Sequence, residues 1–137
     1  MQITRQADYA VRAVLYLAQL GPNEKASTSQ IAEEKDIPLS FLAKIIAQLS
    51  VAGLLQTMRG ARGGVTLARS PDNITLLEVV EAIDGPILLN DCVNGHFECT
   101  LSTCPIKGIW ADAQADLVAR LKSTNFGQFV QVEASPA

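Results

Sequence analysis

The chain has 137 residues, 48% of them hydrophobic and 18% charged, which is enough apolar material to close one core and excludes a disordered chain. Arg5, Asp8 and Arg12 break the apolar stretches near the N-terminus, so neither a membrane helix nor a signal peptide is expected there, and the expectation is a cytoplasmic protein with no membrane partner. The net charge of −3 argues against nucleic acid only until it is divided: residues 1–70 hold eight Lys/Arg against five acids, a net of +3, whereas residues 71–137 hold three against nine, a net of −6. The two halves are therefore expected to meet different partners.

Ala7, Ala10, Val11, Val14, Leu17 and Ala18 recur at helical spacing and stop at Gly21-Pro22, which predicts a helix over 7–20. Ser27-x-x-Gln30 has the form of a capping box before a short second helix that ends near Asp36. Pro38 suits the first position of a third helix, with Leu42, Ile45, Ile46 and Leu49 on one face and Gly53 as its stop. Two helices joined by so short a turn form a helix-turn-helix. Residues 54–59 and 65–67 read as two strands around the turn Gly60-Ala-Arg-Gly-Gly64, a β-hairpin wing.

Ser70-Pro-Asp-Asn73 marks a boundary, after which Thr75 caps a fourth helix over Leu76–Asp84 that ends at Gly85-Pro86. Residues 87–103 show no sustained period and predict a loop. Pro105 restarts a helix whose Ile106, Ile109, Trp110, Ala113, Leu117, Val118 and Leu121 make an apolar stripe over about four turns. So small a protein has few surfaces of its own to cover that stripe. The preferred expectation is a homodimer helix, and packing onto the chain's own first helix is the alternative. A last short helix is expected over 125–132. The fold class is thus mainly α: a winged helix-turn-helix over 1–70, a connecting helix and cysteine-bearing loop over 71–104, and a dimerisation helix with its tail over 105–137.

A recognition helix keeps one face in the core and turns small, polar or cationic side chains toward the major groove. Ser40, Phe41, Ala43, Lys44 and Gln48 fall off the apolar stripe of the third helix. Elsewhere Lys44 would be an ordinary solvated lysine and Phe41 a packing residue; on the second helix of a helix-turn-helix, Ser40, Phe41, Lys44 and Gln48 become candidate DNA contacts. Arg59 and Arg62 place two guanidinium groups on a thin, Gly-rich turn, suited to a narrow minor groove. That turn is not a phosphate-binding loop, because the Gly-Lys-Ser/Thr ending is missing and no helix follows.

Cys92, Cys99 and Cys104 lie within thirteen residues. Three cysteines in a polar loop of a cytoplasmic chain argue against a disulfide framework and for a metal, a cluster or a reactive thiol. Their spacing fits neither the paired C-x2-C of zinc ribbons nor the tight runs of ferredoxins, although long spacers let three thiolates converge with little strain. Cys104 is expected at the N-cap of the last helix, where the helix dipole favours a thiolate. His96, the one histidine, keeps zinc open as the metal.

With these parts in order the chain resembles the iron-sulfur-responsive winged-helix regulators, the family of IscR, NsrR and RirA. The likeness spans nearly the whole chain. It rests on Ile3-Thr4-x3-Asp8-Tyr9-Ala10-Val11, Ile37-Pro38-Leu39-Ser40-Phe41-Leu42, Leu49-x3-Gly53-Leu54-Leu55, Arg59-Gly60-x2-Gly63-Gly64-x2-Leu67 and the three cysteines. The resemblance implies a homodimer held by the last long helix, reading a palindromic operator in double-stranded DNA, with a 2Fe-2S or 4Fe-4S cluster on Cys92, Cys99 and Cys104. Where some members carry a histidine three residues after the last cysteine, this chain has Lys107. Two candidates for the fourth ligand are left. Asp8 matches the position where nitric-oxide-sensing relatives use a carboxylate from the partner subunit, and it is preferred over His96; its other role would be to serve the dipole of its own helix. A DNA-binding regulator, with repression as the expected mode, is the leading expectation. A cluster-free thiol- or zinc-switched regulator is the first alternative, and a small iron-sulfur scaffold or electron-transfer protein the second. No nucleotide motif and no general base beside a nucleophile suggests an enzyme.

Overall fold

Thr4 sets the start of the first helix, α1 (Arg5–Leu20): its Oγ1 accepts a hydrogen bond from the Ala7 amide at 3.1 Å, satisfying one of the donors that a helix start leaves unpaired. In the computed structural model, which describes residues 2–21, 24–93 and 104–131, α1 thus begins two residues ahead of its apolar repeat. Ala7, Ala10, Ala13, Val14, Leu17 and Ala18 are buried along it, and four of those six are alanines, which lets neighbouring helices approach closely.

The second helix, α2 (Thr28–Lys35), is capped by Ser27, whose Oγ accepts from the Gln30 amide at 3.0 Å. The expected capping box is only half made. Instead of reaching back to Ser27, the Gln30 side chain donates to the Tyr16 hydroxyl at 3.2 Å and so ties α2 to α1. Asp36 turns the chain through a left-handed conformation, φ 52 and ψ 53. Pro38 then takes the N-cap position of α3 (Leu39–Val51), one place earlier than expected. Leu42, Ile45, Ile46 and Leu49 of α3 point into the core, each at most 4% exposed.

Strands β1 (Leu55–Met58) and β2 (Gly64–Leu67) pair antiparallel, from Leu55 opposite Leu67 to Met58 opposite Gly64. A single turn over Pro71–Asn73 leads to α4 (Leu76–Asp84), where Thr75 and Glu78 complete a reciprocal capping box. α5 (Lys107–Ser123) packs along α4 and along a short turn at Asp91–Val93. The expected helix over 125–132 is a single 3-10 turn, Phe126–Phe129. It is sewn back onto the start of α4 by the Leu76 amide donating to the Thr124 carbonyl at 2.8 Å and the Phe126 amide to the Ile74 carbonyl at 3.1 Å. Phe126 thereby joins the core formed by α1, α3, α4 and the hairpin. The fold is the mainly helical winged helix-turn-helix expected from the sequence, and no helix among the described residues is long and apolar enough to cross a membrane.

Candidate nucleic-acid interface and cysteine site

The second helix of the helix-turn-helix is α3, and its outer face is what its apolar stripe leaves over. Ser40, Phe41 and Lys44 are exposed there and Gln48 is half-buried. All four line one open cleft of about 580 Å³, closed on its other side by Thr4 and Gln6 of the α1 entry and by the end of α4. That wall is fixed by Asp84, the last residue of α4, whose carboxylate accepts from the Thr4 amide at 3.2 Å and from the Thr4 hydroxyl. The cap of α1 and the end of α4 are held together beside the exposed face of α3.

Arg59 and Arg62 both lie exposed on the hairpin turn. The turn is tight: the Gly63 amide donates to the Gly60 carbonyl at 2.9 Å, and a Cβ at Gly63 would fall 2.2 Å from the Met58 carbonyl oxygen. Gly60 has φ 104, a left-handed value that a side chain disfavours. The wing has a third edge that local sequence patterns do not reveal. Ala26 pairs with Val65 through two backbone hydrogen bonds, 3.2 and 2.8 Å, and the Lys25 ammonium donates to the Arg62 carbonyl at 3.1 Å. Lys25 thus braces the wing tip and adds a third positive charge to it.

Cys92 lies in the Asp91–Val93 turn and Cys104 just ahead of α5; both are free thiols and half-buried. The turn packs against α5, and the Leu89 amide donates to Gln114 Oε1 of that helix at 3.0 Å. Cys104 is not the N-cap residue that the sequence suggested. Ile106 holds that position and α5 begins at Lys107, while the Cys104 carbonyl accepts from the Lys107 amide in the preceding turn. The reason is that Pro105, taken as the first helical residue, instead sits in that turn. Cys99 and His96 lie outside the described residues. Asp8, in the first turn of α1, is exposed and ion-paired at 2.8 Å with Arg12, whose guanidinium also lies 5.5 Å from the centre of the Tyr9 ring. Thiols are soft donors that suit iron or zinc, and among the described residues no three potential ligands come together to hold a metal ion.

A helix-turn-helix with a cationic wing defines the class of winged-helix DNA-binding regulators. Comparison with known proteins carries this further. Residues 3–132 match the Rrf2 family, described as iron-dependent transcriptional regulators. Over 117 residues the chain is 34% identical to the HTH-type transcriptional regulator NsrR of Shouchella clausii, covering 84% of this chain and 78% of that one. It is 33% identical over 115 residues to NsrR of Halalkalibacterium halodurans, covering 82% and 79%. Among solved structures it is similar in fold to CymR, the global cysteine regulator of B. subtilis, with TM-score 0.82, 24% identity and coverage of 98% and 99%. It is also similar to T. potens IscR, with TM-score 0.79, 23% identity and coverage of 99% and 94%. The chain belongs to the Rrf2 family. It is a transcriptional regulator and not an enzyme.

Proposed function

We propose that this regulator is a homodimeric, cytoplasmic repressor whose grip on a palindromic operator is governed by a 2Fe-2S or 4Fe-4S cluster on Cys92, Cys99 and Cys104. Asp8 is the preferred fourth ligand, with His96 the alternative. The observation that supports this reading is the pair of free, half-buried thiols, Cys92 in the turn that packs against α5 and Cys104 just ahead of that helix, in a chain a third identical to NsrR. The cluster, when bound, supplies a group that oxidants or nitric oxide can attack. The rest is work for the chain itself. Ser40, Phe41, Lys44 and Gln48 enter the major groove, and Arg59 and Arg62 reach the flanking minor groove. In this reading Cys92 and Cys104, bound to the cluster, would fix the Asp91–Val93 turn that packs against α5, and α4, which packs on α5 and whose Asp84 bonds Thr4, would carry that position to the α1 entry. Because Asp8 pairs with Arg12 on its own helix, its use as a ligand requires that exposed pair to open, a small cost for a surface ion pair.

The test is protein purified without air. Iron, sulfide and a visible absorption band are expected in the wild type and are lost in Cys92→Ala and Cys104→Ala, with helix content by circular dichroism unchanged. Operator affinity is expected to change at least tenfold when the cluster is removed by nitric oxide or a chelator. Protein without iron or sulfide overturns the cluster. If operator affinity then follows thiol oxidation, the cluster-free thiol switch takes its place.

A further inference from the structure

The outer face of α3 is rich in hydrocarbon for a helix that reads base edges. Its exposed positions over 39–47 are Leu39, Ser40, Phe41, Ala43, Lys44 and Ala47, so four of six carry only hydrocarbon. Leu39 is 52% and Phe41 47% exposed, on either side of Ser40 in the helix's first turn, which is the part of a recognition helix that meets base edges. Of the side chains that pair with base edges, this face carries Ser40 and Lys44, with Gln48 at its margin, and no arginine, asparagine, aspartate or glutamate. Ser40, Lys44 and the flanking Gln48 are its polar reach. Single exposed apolar residues need no explanation. Two large ones in the first turn, on opposite edges of the exposed face, with Ala43 and Ala47 further along, give the N-terminal tip of α3 an apolar character; Lys44 shares the exposed face, and the wing supplies Lys25, Arg59 and Arg62.

The major groove offers one apolar feature that such a tip can recognise, the C5-methyl group of thymine. We propose that Phe41 and Leu39 are specificity-determining residues that read thymine methyl groups, so that each operator half-site carries thymines in the major groove where the N-terminal half of α3 lies. This rests on the assignment of α3 as the recognition helix. Adjacent A·T pairs narrow the minor groove, which is the form that Arg59 and Arg62 on the wing favour, so helix and wing select the same sequence class by different means.

The test uses the full-length protein and a duplex selected by it from a randomised pool. Replacing the half-site thymines one at a time by uracil removes the methyl group and leaves base pairing and charge intact. At the contacted position a loss of about fourfold per half-site is expected, from the burial of one methyl-sized group, and about fifteenfold for the symmetric pair. Phe41→Ala or Leu39→Ala should weaken binding to the thymine duplex and bring the thymine-to-uracil ratio toward one, with the slope of affinity against salt unchanged because no charge is removed. Lys44→Ala should lower that slope and leave the ratio as it was. The proposal is overturned if uracil binds as well as thymine at every half-site position, or if Phe41→Ala weakens both duplexes equally. A Phe41→Ala protein that changes its oligomeric state while keeping the ratio also overturns it. Failure to select any duplex would instead tell against α3 as a recognition helix.

Discussion

Asp36 shows how one residue sets the geometry of the reading head. It is the one non-glycine residue with positive φ among the described residues. Through it the chain leaves α2, with the Asp36 and Ile37 amides both donating to the Ala32 carbonyl, the latter at 2.9 Å. An L-residue in this conformation costs roughly 1–2 kcal/mol, less for aspartate because its carboxylate bonds locally. Glycine removes that cost but loses about 0.5–1 kcal/mol through the greater freedom of the unfolded chain. Asp36→Gly is therefore expected to stabilise the protein by about 0.5 kcal/mol in urea unfolding, the small remainder of those two effects. Asp36→Val, with a branched Cβ in the same conformation, is expected to destabilise it by about 1–2 kcal/mol. Equal stability of the two variants would show that the turn relaxes to another conformation.

At the scale of elements, Arg69 and Glu78 join the wing to α4. The Arg69 guanidinium donates to the Glu78 carboxylate at 2.7 Å and to the Asn73 carbonyl at 3.2 Å, while Glu78 closes the capping box with Thr75. Partial burial works to raise the Glu78 pKa, but the hydrogen bond and charge of Arg69 and the bonds to Thr75 outweigh it and leave the pKa below 4.5. A depressed carboxylate contributes stability that is present in full above its unfolded pKa and is lost as pH falls through its folded one. Glu78→Gln should therefore be less stable than wild type at pH 7, and the gap should shrink on acidification below about pH 4.5, as followed by thermal melts. A gap independent of pH would assign the effect to packing. Elements like α4 are legible in sequence because cap, apolar period and glycine stop are local and agree. Where two local signals compete, the structure departs: Pro105 suggests a helix start that comes later, and Gln30 leaves its capping box for Tyr16. The candidate contacts Ser40, Phe41 and Lys44 were readable as the complement of the α3 stripe. Lys25 was not, because its place beside Arg62 depends on Ala26 pairing with Val65, thirty-nine residues away.

For the whole molecule, the decisive feature is α5, seventeen residues of which none is buried. Its N-cap residue Ile106 and its Ile109 and Trp110 are 47%, 61% and 40% exposed, although they belong to the apolar stripe that runs to Leu121. Packing against α4 and the Asp91–Val93 turn covers one side of the helix. Further along the stripe Ala113, Leu117, Val118 and Leu121 are half-buried, so it is the N-terminal end, Ile106, Ile109 and Trp110, that leaves an exposed apolar patch of the kind that marks an interaction surface, and a second copy of α5 offers it a self-complementary surface through a two-fold axis. That axis would also pair two reading heads, matching the charge division of the chain: the cations Lys25, Lys44, Arg59 and Arg62 belong to the head, and α5 brings Asp112 and Asp116 to the other half. We expect the full-length protein to sediment as a dimer and Ile109→Glu, a charge placed at the most exposed large apolar position of α5, to sediment as a monomer. With one head engaged at a time, affinity for a palindromic duplex should fall on the order of 10²-fold, while affinity for a single half-site should stay as in the wild type. If Ile109→Glu remains dimeric and binds the palindrome normally, α5 is not the seam and the two heads must be joined through another surface.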